Sequence, residues 1–282
     1  MTAQDDAPAV GQLDDPAIDP FAVAADAARH LAARTGVERH DVALVLGSGW
    51  AGAADLLGET VAQLPATDLP GFSAPAAVGH GGHLTSVRIE GSGKHALVIG
   101  ARTHYYEGRG VRAVAHGVRV AAAAGASTVV LTNGCGGLEE EWAPGTPVLI
   151  SDHINLTGRS PLEGATFVDL TDLYSSRLRD LAREVDPSLP EGVYVQFPGP
   201  HYETPAEVQM ARRIGGHLVG MSTALEAIAA RHAGLEVLGL SLVTNAAAGI
   251  SPAPLSHEEV LEAGRAAGPR ISRLLAQIVR RL

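Results

Sequence analysis

The chain has 282 residues and a mass of 29.0 kDa, with 46% hydrophobic, 18% charged and only 4% aromatic residues, a globular composition that excludes a wholly disordered chain. Its formal net charge is −10 and it contains no basic run, which argues against extended binding to nucleic acid or to an anionic membrane while still allowing a local cationic pocket. One cysteine, Cys135, excludes an internal disulfide framework and suits a reducing, cytoplasmic setting, and no apolar stretch reaches the roughly 18 residues that span a bilayer.

Residues 1–19 carry five Asp and two Pro and read as a loose tail without the charged and apolar regions of a signal peptide. Residues 20–282 show no repeat, linker or composition break and read as one domain. An Ala-rich helix is predicted from Pro20 to about Arg34, closed by Gly36 as a left-handed C′ residue. The apolar run at 42–46 predicts a buried strand, and Gly47-Ser48-Gly49-Trp50-Ala51-Gly52 follows it. That stretch matches G-x-G-x-x-G, but the acidic residue expected about 20 positions on is missing in form, since Asp68 lies in a turn-like segment. A phosphate cradle of backbone N–H groups with the Ser48 hydroxyl is the preferred reading. A plain glycine turn and a dinucleotide loop are the alternatives.

His80 and His83 have a spacing that zinc can use, yet no Cys or Glu cluster completes a site, so no metal is expected. Strands are predicted at 84–89 and 96–100. After the second, Arg102, His104 and Tyr106 alternate and so share one face of an extended segment. The Arg fork and the imidazole suit phosphate oxygens and the Tyr a sugar, against the alternative of a solvated loop. A helix at 112–124 leads to a strand at 128–132. The glycines of Asn133-Gly134-Cys135-Gly136-Gly137 either admit backbone N–H groups to a ligand or form a tight turn, with Cys135 as a buried, inert thiol. Asp152-His153 follows the strand at 147–151 and reads as structural.

A helix at 173–185 precedes the strand at 193–197. Past that strand, Glu203 either stabilises the next helix end or accepts from a ligand N–H, and Tyr202 can stack on a ring. Thr204-Pro205-Ala206-Glu207 is a capping box that opens a helix at 204–214. Ser222 or Thr223 caps a helix at 223–233, where Thr223-Ala224-Leu225-Glu226 has the same form, and a helix N-terminus is also an anion site. The strand at 237–245 ends in Thr244-Asn245; Asn supplies both donor and acceptor, suited to a ring carbonyl beside a ring nitrogen. His257 opens a last helix at 256–267. Strands alternating with helices predict an α/β fold with a central mixed, mostly parallel β-sheet flanked by helices, and ligands at the carboxyl ends of its strands.

The segments LGSGW, VGHGG, RTHYYEG, LTNGCGGL, SDHINLTGRSPL, PGPHYETPAE, VGMST, LVTNAAAGI and LSHEEV, in this order between Val42 and Gly264, resemble the trimeric purine nucleoside phosphorylases. The similarity is closest to their bacterial inosine/guanosine branch. The resemblance implies the nucleoside phosphorylase fold, a cytoplasmic homotrimer, and phosphorolysis of 6-oxopurine (deoxy)ribonucleosides in purine salvage. Phosphate is then a co-substrate, with no metal or organic cofactor. The resemblance assigns phosphate to Ser48, Arg102, His104, Ser222 and the backbone N–H of Gly134, with His80 on a phosphate-side loop. It puts Tyr106 and Met221 along the ribose and His257 at its 5′-hydroxyl. Tyr202, Glu203, Thr244 and Asn245 surround the base, and Phe167 reaches into a neighbouring subunit's site. Asn245, Glu203, His104 and His257 carry the catalytic roles. Gly134-Cys135 stands where the family often has Ala-Ala, and Ala246 where mammalian members have Lys. The rivals are a methylthioadenosine phosphorylase, expected to carry Asp in place of Asn245, an NAD-dependent oxidoreductase built on Gly47–Gly52, and a silent nucleoside-binding protein.

Overall fold

A computed structural model describes residues 12–74, 81–250 and 257–282. Of the tail expected over 1–19, residues 1–11 lie outside the described residues. Gln12–Asp14 form a short 3-10 turn with Leu13 buried, and the Arg112 guanidinium donates to the carbonyls of Asp15 (2.8 Å) and Ile18 (3.0 Å). This segment is therefore fastened to the body. Asp19 caps α1 (Pro20–Thr35) by accepting from the Phe21 N–H, and Gly36 closes the helix at φ 70°.

Nine strands form one mixed sheet among the described residues: β1 (Val42–Val45), β2 (Gly58–Pro65), β3 (His83–Ile89), β4 (His95–Ile99), β5 (Thr128–Gly137), β6 (Pro147–Asn155), β7 (Glu191–Gln196), β8 (Leu218–Gly220) and β9 (Glu236–Ala246). Their order is β2-β3-β4-β1-β5-β8-β7-β6-β9, and β9 pairs back onto β5. The ring β5-β8-β7-β6-β9 therefore closes on itself, which removes the free edge of β9 and leaves β2 as an edge strand. β1 lies parallel to β4 and β5, and β5 lies parallel to β9; β3 runs antiparallel to both of its neighbours, β2 and β4. The helices are α2 (Gly110–Ala123), α3 (Ser176–Val185), α4 (Pro205–Arg213), α5 (Ala224–His232) and α6 (His257–Val279). One core cluster packs Leu31 of α1, Val118 of α2 and Ala227 of α5 on one face of the sheet. A second packs Trp50, Leu178 of α3 and Ile271 and Leu275 of α6 on the other. Apolar β1, buried at all four positions, is covered from both sides, as a continuous Val/Leu run requires.

The structure departs from the sequence reading in three places. β2 and β8 had no counterpart there. β2 is largely half-exposed and polar (GETVAQLP), and β8 has only three residues, so neither presents a long apolar run. Asn133–Gly137 is strand rather than turn, because β5 continues against β9 on one side and meets β8 on the other. Gly136 is needed there: a Cβ would lie 3.0 Å from Val219 Cγ2 and 3.3 Å from Ala247 Cβ. Finally, α6 passes through Pro269 and runs on to Val279, since Ile271, Leu275 and Ile278 bury its inner face.

Candidate active site

The carboxyl ends of β1, β4, β5, β8 and β9, with the segment that follows β7, surround one pocket of about 760 Å³, its open mouth included. Eleven residues singled out from the sequence line it: Ser48, Arg102, His104, Tyr106, Gly134, Tyr202, Glu203, Met221, Ser222, Thr244 and Asn245. Asn133, Cys135 and Gly220 line it too, without having been singled out as ligand groups.

The glycine loop after β1 folds onto the end of β5. The Gly47 N–H donates to Thr132 Oγ1 (2.9 Å), which in turn donates to the Val45 carbonyl (3.1 Å), and Trp50 Nε1 donates to the Asn133 carbonyl (3.0 Å). This seats Ser48 at the pocket. A six-residue 3-10 turn, Ala51–Leu56, follows in place of a crossover helix, and the next strand, β2, lies three places from β1 at the edge of the sheet, paired with β3. The βαβ unit of a dinucleotide site is therefore absent from this position.

Arg102 is buried. Its Nη1 donates to the Thr132 carbonyl (2.6 Å) and its Nε to Glu226 Oε1 (3.1 Å), while Nη2 has no partner among the described residues. Sequence reasoning took Glu226 only as the last member of a capping box. It has that role, since its Oε2 accepts from the Thr223 N–H (3.1 Å), and the ion pair with Arg102 in addition. Thr223 has φ 82°, uncommon for a β-branched residue, and its Oγ1 accepts from Asn133 Nδ2 (2.9 Å). Ser222 beside it donates its N–H to Tyr194 Oη (3.3 Å).

The backbone N–H of His104 donates to Glu107 Oε1 (2.7 Å), and its Nδ1 lies 3.2 Å from the same oxygen. The carboxylate therefore favours the proton on Nδ1. Burial, and then the Arg102 charge, lowers the imidazole pKa to about 3, so the ring is neutral at physiological pH. It stacks on Tyr106 with centroids 4.8 Å apart.

Elsewhere in the pocket, Glu203 is 8% exposed, and its Oε1 has no partner among the described residues. Burial, and after it the Glu207 charge, raises its carboxyl above the usual carboxylate range. Thr244 Oγ1 lies 3.1 Å from the Cys135 carbonyl and 2.9 Å from Asn245 Oδ1, and Asn245 Nδ2 donates to the Ala246 carbonyl (3.0 Å). These contacts hold the Asn245 amide in one orientation. Half-buried Met221 and more exposed Tyr202 complete the wall. Cys135 donates to the Leu242 carbonyl, and burial pushes its thiol up to about 12, as befits an inert core group.

One sequence-predicted residue, Phe167, is not brought into this pocket. Phe167 is 92% exposed at the surface. His80 lies outside the described residues, as does the side chain of His257, whose backbone begins α6. His153 accepts or donates at Tyr174 Oη (2.9 Å), away from the pocket, in keeping with a structural role. Among the described residues no helix is long and apolar enough to cross a membrane.

Residues 41–280 match the family described as the Phosphorylase superfamily. Over 97% of its length the chain is 72% identical to a purine nucleoside phosphorylase of Cellulomonas sp, covering 98% of that protein. It is 58% identical to the purine nucleoside phosphorylase of Mycobacterium tuberculosis, over 95% of this chain and 99% of that one. Its structure is similar to that of the Schistosoma mansoni purine nucleoside phosphorylase in complex with inosine, with a TM-score of 0.84, 32% identity, and coverage of 93% of this chain and 96% of that chain.

Proposed function

The chain belongs to the phosphorylase superfamily and within it to the purine nucleoside phosphorylases, which are pentosyltransferases, and we propose that its substrates are the 6-oxopurine (deoxy)ribonucleosides inosine and guanosine, cleaved reversibly in purine salvage. The products are the free purine and (deoxy)ribose 1-phosphate, and inorganic phosphate is the co-substrate. The observation that carries this reading is the pairing, within one pocket, of a buried Arg102 with an unmatched Nη2 and a buried Glu203 with an unmatched Oε1. A dianion answers the first and a ring N–H the second.

Phosphate attacks C1′ as the bond to purine N9 breaks. The sugar gains oxocarbenium character and the purine leaves as an anion. Arg102, Ser48, Ser222, the neutral His104 and the Gly134 backbone N–H hold the phosphate against C1′, which is positioning work. Tyr106 and Met221 cover the ribose. Asn245 donates to N7 and contacts O6, stabilising the charge that develops on the base, an effect that typically contributes about 10²–10³ in rate. Glu203 accepts from N1–H, and from the 2-amino group of guanine. A 6-aminopurine lacks the N1–H and would leave the buried carboxyl unmatched, and sites of this kind reject such analogues by about 10⁴–10⁵. Thr244 and Tyr202 complete the base site. His257 meets the 5′-hydroxyl, His80 lies on the phosphate side, and the exposed Phe167 reaches a neighbouring site in a homotrimer.

The test is purine release from inosine, guanosine and adenosine, each with and without phosphate. Phosphate-dependent release from the first two and not from adenosine is the expected result. Release without phosphate would make the protein a hydrolase. Equal release from adenosine would overturn the role of Glu203.

A further inference from the structure

Arg102 and Ser222 arrive at the pocket from different parts of the fold, one following β4 and the other between β8 and α5. A single carboxylate joins them. Glu226 Oε1 accepts from Arg102 Nε (3.1 Å), and its Oε2 accepts from the Thr223 backbone N–H (3.1 Å). Both side chains of the ion pair are almost fully buried, at 1% and 4% exposure. Behind the pair lies an apolar recess lined by Val45, Phe72, Ile99 and Val114, where Glu226 is the one carboxylate among the described residues. The same carboxylate thus holds the N–H of Thr223, which directly follows Ser222 and has a φ of 82°.

We propose that Glu226 is a positioning residue for the anion end of the site, holding the Arg102 fork and the Ser222-Thr223 backbone in one geometry by bridging them with a single buried carboxylate. This rests on the phosphate-using reaction proposed above. Its oxygens accept from two N–H donors at once, so an amide in its place must turn its NH₂ toward one of them. An aspartate keeps the charge but is one methylene too short to reach both.

The experiment uses the full chain with Glu226→Gln and Glu226→Asp, and reads KM for phosphate, KM for inosine, kcat, and direct binding of inorganic phosphate and of hypoxanthine. For both variants, phosphate KM and Kd are expected to rise about 10-fold or more, the scale of a lost charge-assisted hydrogen bond, while inosine KM and hypoxanthine Kd stay within about twofold. The Asp variant decides if the Gln variant does not fold. Unchanged phosphate affinity would overturn the proposal. So would a parallel fall in phosphate and hypoxanthine affinity, or loss of fold in both variants, since these describe a merely structural pair. Failure of the underlying reading is distinguishable, because the unsubstituted protein would then neither bind phosphate nor require it for purine release.

Discussion

Burial holds the Glu203 carboxyl above the ordinary carboxylate range, and its Oε1 has no partner among the described residues. A group in that state is costly until a donor reaches it, so it discriminates strongly among ligands. It accepts most strongly from a purine N1–H when ionised, so kcat/KM for inosine should fall at acid pH with a midpoint above the usual carboxylate value. Glu203→Gln should lower kcat/KM by about 10²–10³ and abolish that acid limb. A pH–rate profile of the two proteins checks both effects, and an unchanged limb in the variant would assign it to another group. Asn245 is the complementary case. Its amide is fixed by Thr244 and the Ala246 carbonyl, and Asn245→Asp exchanges a donor for a second acceptor. The ratio of kcat/KM for adenosine to that for inosine is then expected to rise, and competition between the two nucleosides measures it directly.

At the scale of an element, the loop after β1 works because it can press against β5. A Cβ on Gly47 would lie 2.6 Å from the Thr132 carbonyl oxygen, 2.7 Å from Asn133 Cα and 2.9 Å from Arg102 Nη1. The first two are backbone atoms of a buried strand and cannot rotate aside. Gly47→Ala should therefore cost about 1–3 kcal/mol of stability and raise phosphate KM by displacing Arg102. Gly36→Ala is the control. That residue sits at φ 70° with nothing within 4 Å of a Cβ, so about 1 kcal/mol of backbone strain is expected, with kinetics unchanged. Denaturant midpoints with phosphate KM values separate the two, and an unaltered KM in Gly47→Ala would detach this loop from the anion site.

Over the whole molecule, burial holds four described histidines toward the neutral form, His153 among them. Burial is the leading cause for each, and it lowers His104 to about 3 and both His40 and His116 to about 4. The unfolded chain takes up protons near pH 6.5, and the folded chain refuses them. Stability is therefore complete above about pH 6.5 and is lost as pH falls toward 4, by about 1.4 kcal/mol per pH unit for each histidine. Glu203 has the opposite sign, since its raised folded pKa favours the folded state as pH falls, but it is one group against four histidines. Tm should drop between pH 7 and pH 5. His116→Gln, which can still donate to the Pro70 carbonyl as His116 Nε2 does (2.8 Å), should flatten that drop. A Tm independent of pH over this range would refute the assignment.

What could be read along the chain depends on near neighbours. The Thr204 capping box, the left-handed Gly36 and the buried run of β1 all follow from residues a few positions apart, and all are present; Arg102, His104 and Tyr106 do line one pocket, but Tyr106 does so from a 3-10 turn and not from an extended segment. So the α/β class and eleven of the pocket residues were legible in the order of motifs. The strand character of Asn133–Gly137 was not, because it arises from β9 and β8 meeting β5 on its two sides. Nor was the ring closed by β9 on β5. The second role of Glu226 was hidden behind a sufficient local one, its capping box, since its partner Arg102 is 124 positions away. Periodicity and capping are local energies and leave a local trace in sequence. Desolvation is a property of the assembled interior, so only the tertiary structure decided which buried groups are matched by protein and which, as at Arg102 and Glu203, are left for a ligand.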